Sequence, residues 1–139
     1  NDHAGTSLKK EIKNMLESNG YNVKNLGCDN EESVDYPDYA HPLAEQVAKD
    51  KSLKGIIICG SGIGVSMVAN KHNGVRSALC WSKETAKLSR SHNNANVLSL
   101  PARFLNKEEA IEIVETFLKT EFEGGRHERR VDKINKKNP

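Results

Sequence analysis

Residues 55–64 read Gly-Ile-Ile-Ile-Cys-Gly-Ser-Gly-Ile-Gly, and this stretch decides the fold. The run of three isoleucines is typical of a buried strand, and the residues that follow the last glycine have helical character. The pattern therefore predicts a strand, a glycine-rich turn and a helix. This order puts Cys59 and Ser61 at the carboxyl end of the strand, which is where open α/β sheets bind ligands.

The three alternate glycines of the turn allow a tight backbone path and leave N–H groups bare at the start of the helix. Such N–H groups favour anionic oxygen. A sulfur beside them indicates a chemical site, although glycine-rich turns between a strand and a helix are often only structural.

The spacing excludes two common uses of a glycine-rich turn. A dinucleotide-binding fingerprint would need its third glycine where this chain has Val65. A phosphate loop of the nucleotide-hydrolase kind would need Gly-Lys followed by Ser or Thr, whereas Lys71 is followed by His72.

The bulk properties favour one modest domain. A length of 139 residues predicts a single domain, residues 1–139, with one sizeable core. The formal charge of +2 argues against a dedicated nucleic-acid binder, and no apolar run is long enough to span a membrane. The basic excess is local, in Arg126, Arg129, Arg130, Lys133, Lys136 and Lys137. Three cysteines without metal-ligand spacing predict reduced thiols and a cytoplasmic protein.

Helix and strand patterns alternate along the chain. We predict helices over 6–19, 38–49, 65–73 and 82–92 and another from Asn106, with strands over 21–26, 56–58, 75–80 and 96–100. Asn106 and Glu109 have the spacing of a capping box. The alternation predicts a three-layer α/β/α fold with a Rossmann-like parallel sheet. Since such a fold begins with a strand and Asn1 stands in a loop before a helix, we expect the first strand to be missing from this sequence.

Four polar groupings accompany the glycine turn, and each lies in a loop or beside a helix, where functional residues concentrate. They are Asp2-His3, Asp35-Tyr36-Pro37, Ser91-His92-Asn93 and residues 124–130. Taken singly, each has a structural explanation. Asp2 is a plausible helix cap, His92 a surface histidine, Tyr36 a packed aromatic, and the arginines a solvated face.

Taken together, these segments resemble the type-B ribose-5-phosphate isomerases, a family that includes galactose-6-phosphate and allose-6-phosphate isomerases. The segments that carry the resemblance are 2–5, 35–37, 58–64, 69–71, 88–93, 96–97, and 123–127 with Arg130. They follow the family order over nearly the whole chain. Two departures are the absent first strand and Ser61, which stands where many members have threonine.

The resemblance implies an aldose–ketose isomerisation without metal or cofactor, through an enediolate. By this similarity Cys59 is the base for the C2 proton, and a helix N-terminus favours its thiolate. The N–H groups from Gly60 to Val65 would stabilise the enediolate oxygens, and Ser61 would pass a proton between them. His92 is suited to opening the sugar ring, assisted by Asp2.

The resemblance also assigns the substrate-binding residues. Sugar hydroxyls would meet Tyr36 and Asn93, and the turn would contribute Gly60, Gly62, Ile63 and Gly64. The phosphate would meet His3, Arg103, Arg126 and Arg130, because guanidinium groups match phosphate oxygens. The family's site lies between subunits, which implies a homodimer or a dimer of dimers in which His92, Asn93 and Arg103 reach a neighbour's pocket.

Ribose 5-phosphate, within the pentose phosphate pathway, is the leading substrate, and a hexose 6-phosphate is the nearest alternative. A non-catalytic phosphosugar-binding module would retain the arginines, yet the presence of Cys59, Ser61 and His92 opposes it. A flavodoxin-like nucleotide site is also an alternative, but the chain has no acidic residue placed to bind the ribose, and the thiol in the glycine turn opposes it. A metal site built from Cys59, His92, Asp2 and His3 has no support from their spacing.

Overall fold

The computed structural model describes residues 1–135, so Lys136 and Lys137 of the basic segment lie outside the described residues. The described residues form three parallel strands and six α-helices. The strands are β1 (Gly55–Cys59), β2 (Ser77–Leu79) and β3 (Val97–Pro101). The helices are α1 (Thr6–Ser18), α2 (Pro37–Lys49), α3 (Ile63–Ala69), α4 (Lys83–Ser91), α5 (Lys107–Lys119) and α6 (Arg126–Asp132), with short 3₁₀ turns at His3–Gly5 and Ala102–Phe104.

The strand order is β1-β3-β2, with β3 paired in parallel on both sides. The register of β1 against β3 runs from Gly55 opposite Val97 to Cys59 opposite Pro101. The two strands therefore end together. Loops that follow the strands share one edge of the sheet, which we call the carboxyl edge.

Helices cover both faces of this sheet. Leu98 and Leu100 of β3 pack with α1, α4 and α5 in a cluster that includes Phe117. Val97 of β3 and Ile57 of β1 pack on the other face with α2 and α3. Residues of β3 thus alternate between the two clusters, as a strand covered on both sides requires. The predicted three-layer α/β/α arrangement with a Rossmann-like parallel sheet is confirmed.

The helix starts follow local sequence signals. The capping box is confirmed, because the Glu109 N–H donates to Asn106 Oδ1 over 2.8 Å and the Asn106 N–H donates to Glu109 Oε1 over 3.3 Å. The bounds of α1, α2 and α4 agree with the predicted ranges to within one residue at each end.

Among residues 1–135, no helix combines the length and apolar character that crossing a membrane requires.

The predicted strand over residues 21–26 is wrong. These residues form no regular secondary structure and lie outside the sheet, and together with Ile56 and Ile58 of β1 they line a groove of about 460 Å³. An alternating sequence becomes a strand only when a neighbour supplies ladder hydrogen bonds. Residues 21–26 have no such neighbour among the three described strands.

Two predicted elements are shorter than expected. Helix α3 ends at Ala69, and β2 begins only at Ser77. Asn70 accounts for both boundaries, because its side chain accepts from the Ser77 N–H over 2.8 Å and donates to the Ser77 carbonyl over 3.0 Å. The residue that would have continued the helix instead ties the turn to the start of β2.

Candidate active site

The glycine turn holds the sulfur of Cys59 in a defined position. Cys59 ends β1 and is only 5% exposed. The Gly62 N–H donates to Cys59 Sγ over 3.1 Å, and the Ile63 N–H donates to Ser61 Oγ over 3.2 Å. An N–H group directed at sulfur stabilises negative charge there, because hydrogen bonds to ionised acceptors are the stronger ones. This part of the turn therefore places a sulfur and a hydroxyl side by side, each accepting a backbone N–H.

Gly62 fixes the turn against the sheet. It has a φ of +73° at the N-cap of α3, and its carbonyl accepts from the hydroxyl of the fully buried Ser99 over 2.5 Å. A Cβ added at Gly62 would lie 2.5 Å from Leu79 Cδ1 and 3.0 Å from the backbone of Leu100. The turn thus rests directly on β2 and β3. Sequence reasoning missed Ser99, since a single serine inside an apolar strand carries no signal for its partner.

Asp2 lies beside the end of β1. Its N–H donates to the Ile58 carbonyl over 3.2 Å, and its buried carboxylate accepts from the Ala4 N–H over 3.0 Å. Asp2 therefore caps the 3₁₀ turn at His3–Gly5, which is the structural explanation considered for it above. Its place at the carboxyl edge also puts it next to the residue that precedes Cys59.

His3 is oriented by a backbone hydrogen bond. Its Nδ1 accepts from the Val34 N–H over 3.1 Å, so the ring proton lies on Nε2. The imidazole therefore presents an N–H donor on its other side. A donor of this kind suits an anionic oxygen such as that of a phosphate.

Tyr36 and Arg103 lie across the glycine turn. A Cβ added at Gly64 would be 2.9 Å from the Tyr36 hydroxyl oxygen, and one added at Gly60 would be 3.0 Å from Arg103 Cζ. The Arg103 N–H also donates to the Gly60 carbonyl over 3.0 Å. The sequence prediction grouped Arg103 with the residues that reach a neighbouring subunit, but the structure places it on the turn of its own chain.

The remaining predicted site residues lie elsewhere. His92 caps the end of α4, with its N–H bonded to the Leu88 carbonyl over 2.9 Å, and the exposed Asn93 follows it. Arg126 and Arg130 are exposed and four residues apart on α6, hence on one helix face. The Glu123 N–H, donating to the Ser91 carbonyl over 3.0 Å, ties the segment before α6 to the end of α4.

His127 connects α6 to His92. The two imidazole rings stack with centroids 4.1 Å apart and an interplanar angle of 13°. Burial lowers the pKa of His127, as do the neighbouring charges of His92 and Arg126, against an opposing effect of Glu123. Sequence reasoning gave His127 and Glu123 no role, although their spacing of four residues within a recognised segment was the available signal.

The structure thus sorts the predicted residues into two groups. The Cys59 group, at the carboxyl edge, contains Asp2, His3, Tyr36, Cys59 to Gly64 and Arg103. The His92 group contains His92, Asn93, Arg126 and Arg130.

The two groups lie at opposite ends of the sheet. His92 comes at the end of α4 and only five residues before β3 begins, whereas Cys59 lies opposite the last residue of β3. The four residue steps of β3 span about 13 Å at about 3.3 Å each. Within one chain, Cys59 and His92 are therefore separated along the direction of β3 by about the length of that strand.

Comparison with known proteins shows the family of this chain. A model of the family described as Ribose/Galactose Isomerase matches residues 1–134. The chain is 52% identical over 136 residues to a probable ribose-5-phosphate isomerase B of Mycoplasma genitalium, covering 96% of this chain and 89% of that protein. It is 43% identical over 133 residues to ribose-5-phosphate isomerase B of Escherichia coli K12, with 96% and 89% covered.

Solved structures show the same fold. The crystal structure of a ribose 5-phosphate isomerase from Thermotoga maritima superposes with a TM-score of 0.93 at 49% identity, covering 96% of this chain and 92% of that one. The M. genitalium ribose-5-phosphate isomerase B, solved with bound ribulose-5-phosphate, also gives a TM-score of 0.93, at 50% identity with 96% and 90% covered. The resemblance seen in the sequence is therefore confirmed, and the chain belongs to the ribose/galactose isomerase family of enzymes.

Proposed function

We propose that this protein interconverts ribose 5-phosphate and ribulose 5-phosphate through an enediolate intermediate. The observation that carries the proposal is the hydrogen bond from the Gly62 N–H to the Cys59 sulfur, beside the Ser61 hydroxyl, in a chain of this family. Support for the substrate comes from the relatives that are named ribose-5-phosphate isomerase B and from the relative solved with ribulose-5-phosphate.

The first step is opening of the furanose ring, which we assign to His92. The imidazole takes the proton of the C1 hydroxyl and delivers a proton to the ring oxygen as the bond between C1 and that oxygen breaks. Histidine suits this exchange because its proton affinity lies near neutral pH. Asp2, buried at the carboxyl edge, assists from the side of Cys59.

The second step moves a proton from C2 to C1. The Cys59 thiolate takes the C2 proton, the electron pair forms the C1–C2 double bond, and negative charge develops on O1. Backbone N–H groups of the glycine turn stabilise that charge, and such donors supply a large share of catalysis in enolisation sites. Ser61 passes a proton from O2 to O1, and the Cys59 thiol then protonates C1.

Binding of the phosphate is assigned to four cationic or N–H donor side chains. His3 and Arg103 come from the Cys59 group, and Arg126 and Arg130 come from the His92 group. Tyr36 and Asn93 bind sugar hydroxyls. Arginine forms paired hydrogen bonds with phosphate oxygens, so these residues orient the sugar as well as hold it.

A complete site then requires two copies of the chain, with the Cys59 group of one facing the His92 group of the other. The separation along β3 supports this homodimer. So do the large apolar side chains exposed near the carboxyl edge, among which Phe104 is 73% and Met67 is 64% exposed. Exposed apolar patches of this kind commonly mark a protein interface.

The cellular setting is also part of the proposal. Cys28, Cys59 and Cys80 are all free thiols, which suits the reducing cytoplasm. Conversion of one pentose phosphate into another belongs to the pentose phosphate pathway.

Isomerase activity with purified protein tests the proposal, using ribose 5-phosphate, allose 6-phosphate and galactose 6-phosphate at matched concentrations. We expect kcat/KM to be highest for ribose 5-phosphate. A preference for either hexose phosphate would leave the proposed chemistry unchanged but assign a different substrate. Binding of all three without turnover would instead assign a phosphosugar-binding module.

A further inference from the structure

Three side chains with metal-binding atoms meet between α4 and α6. Glu123 Oε2 lies 3.8 Å from His92 Nε2 and 3.5 Å from His127 Nε2. The three ligand atoms all lie within 4.8 Å of one another. No other group of three such residues was found within the described part of the chain.

The backbone holds this cluster together. His92 is fixed as the C-cap of α4, and the Glu123 N–H is bonded to the carbonyl of the preceding Ser91. Gly124 and Gly125 then turn the chain with φ values of +66° and +55°, which starts α6 and returns His127 over the His92 ring. The side chains therefore meet because the main chain brings them together.

The spacing is close to that of a metal centre. Zinc binds nitrogen and carboxylate oxygen at about 2.0–2.2 Å, so ligand atoms in a tetrahedral site lie about 3.4 Å apart. The two distances to Glu123 exceed this separation by only a few tenths of an ångström. The stacked rings must rotate so that their nitrogen lone pairs converge, and Glu123, whose side chain is 60% exposed, has room to follow.

We propose that His92, Glu123 and His127 bind a divalent transition metal ion of the Zn²⁺ type, with water completing the coordination. Imidazole nitrogens select such ions over Mg²⁺ and Ca²⁺, which prefer oxygen ligands. Because His92 is only half-buried in the single chain, a metal ion and its water can reach the ligand atoms from that side. The positive charges of Arg126 and Arg130 oppose a cation here, so the affinity is weaker than that of structural zinc sites.

Metal binding at this place has a consequence that rests on the proposed function. A metal-bound His92 nitrogen cannot exchange protons with the sugar. Zn²⁺ therefore inhibits ring opening, while it leaves the Cys59 group of the same chain intact.

The test is a calorimetric titration of untagged protein, freed of metal by a chelator and dialysis, with Zn²⁺ alone and no sugar phosphate. We expect one Zn²⁺ per chain at this site. Glu123→Gln and His127→Gln should each weaken that binding at least about tenfold, since even outer partners of metal ligands contribute that much. The visible absorption of Co²⁺ bound in place of Zn²⁺ should be lost in the same variants.

The exposed pair His41 and His72, with ring nitrogens 2.7 Å apart, provides a matched control. His72→Gln should leave the Zn²⁺ affinity unchanged. Equal affinity in wild type, Glu123→Gln and His127→Gln would overturn the proposal, as would loss of binding only in His72→Gln or only in Cys59→Ser. Glu123 is exposed, so its variant should unfold at the wild-type temperature. Since no substrate is present, the result does not depend on whether the protein is an isomerase.

Discussion

The Gly62 N–H donates to the Cys59 sulfur over 3.1 Å, which joins the residue that ends β1 to the N-cap residue of α3. If that sulfur is the base, Cys59→Ala should lower kcat by about 100- to 10,000-fold, the range for removal of a general base. Sugar-phosphate binding, measured by calorimetry, should persist. Cys28→Ala, which removes another buried thiol, is the control and should retain activity. Normal turnover in Cys59→Ala would remove Cys59 from the role of base.

The proposed division of the site between two chains predicts complementation. Cys59→Ala and His92→Ala should each be inactive alone. Unfolding and refolding an equal mixture should make half of the dimers mixed, each with one intact site of two, and so restore about a quarter of the wild-type activity. Activity no greater than that of the separate variants would show that Cys59 and His92 act within one chain.

Arg130 and its neighbour Arg129 form a matched pair on α6. A hydrogen bond to a charged group contributes about 1.5–3 kcal/mol, so Arg130→Ala should raise KM by about ten- to hundredfold with a smaller effect on kcat. Arg129→Ala removes the same charge from the same exposed helix and should leave KM near the wild-type value. Steady-state kinetics on both variants decides the question, and equal KM values would place Arg130 outside the phosphate site.

Alanine substitutions at Gly62 and Gly74 distinguish the stability cost of backbone strain from that of steric clash. Both have positive φ, at +73° and +86°, but an added Cβ meets Leu79 and the backbone of β3 only at Gly62. Gly74→Ala should reduce the free energy of unfolding by about 1 kcal/mol. Gly62→Ala should reduce it by at least about 3 kcal/mol, because strain and overpacking add. Urea unfolding measures both, and similar losses would mean that the turn does not rest on β3 as described.

Cys80 predicts a pH effect on stability. Burial raises the pKa of its thiol above the ordinary value of 9.0, although hydrogen bonds from Ser89 and Thr85 partly offset this. The unfolded thiol ionises first as the pH rises, so the contribution of Cys80 to stability is complete below about pH 9 and declines above it.

Replacing Cys80 shows how much of the stability loss at high pH comes from its thiol. The loss of unfolding free energy between pH 8 and pH 10.5 should be smaller in Cys80→Val than in wild type. Comparing the two proteins cancels the titration of lysines and tyrosines. Parallel pH curves would show that the Cys80 thiol ionises in the folded protein as readily as in the unfolded chain.

Local signals in the sequence predicted the local structure well. The capping box at Asn106 and the strand, turn and helix around Cys59 depend on residues within a few positions of one another, and all are present. Strand formation by residues 21–26 failed as a prediction because it depends on a partner strand, which an alternating pattern cannot supply. Cys28 is buried although its neighbours in the sequence are polar, and its backbone is bonded to the distant residues Asn1 and Lys9.

The arrangement of the candidate site was less accessible from the sequence. Residues of the Cys59 group could be associated because parallel strands end at one edge. The stacking of His127 on His92 joins positions 35 residues apart through the path of α5 and the turn before α6, and no periodicity records that path. The resemblance to a family drew attention to residues 123–127 but did not show that His127 contacts His92.

The distance between the two ends of β3 has a consequence for how this catalyst is controlled. If each site is divided between two chains as proposed, a single chain is inactive, so specific activity depends on total protein concentration and falls on dilution below the dissociation constant of the dimer. Newly made chains would then be inactive until they associate, and turnover in a cell would rise more steeply than gene dosage. A substitution at that interface, remote from any reacting atom, would lower the activity by lowering the fraction of dimer.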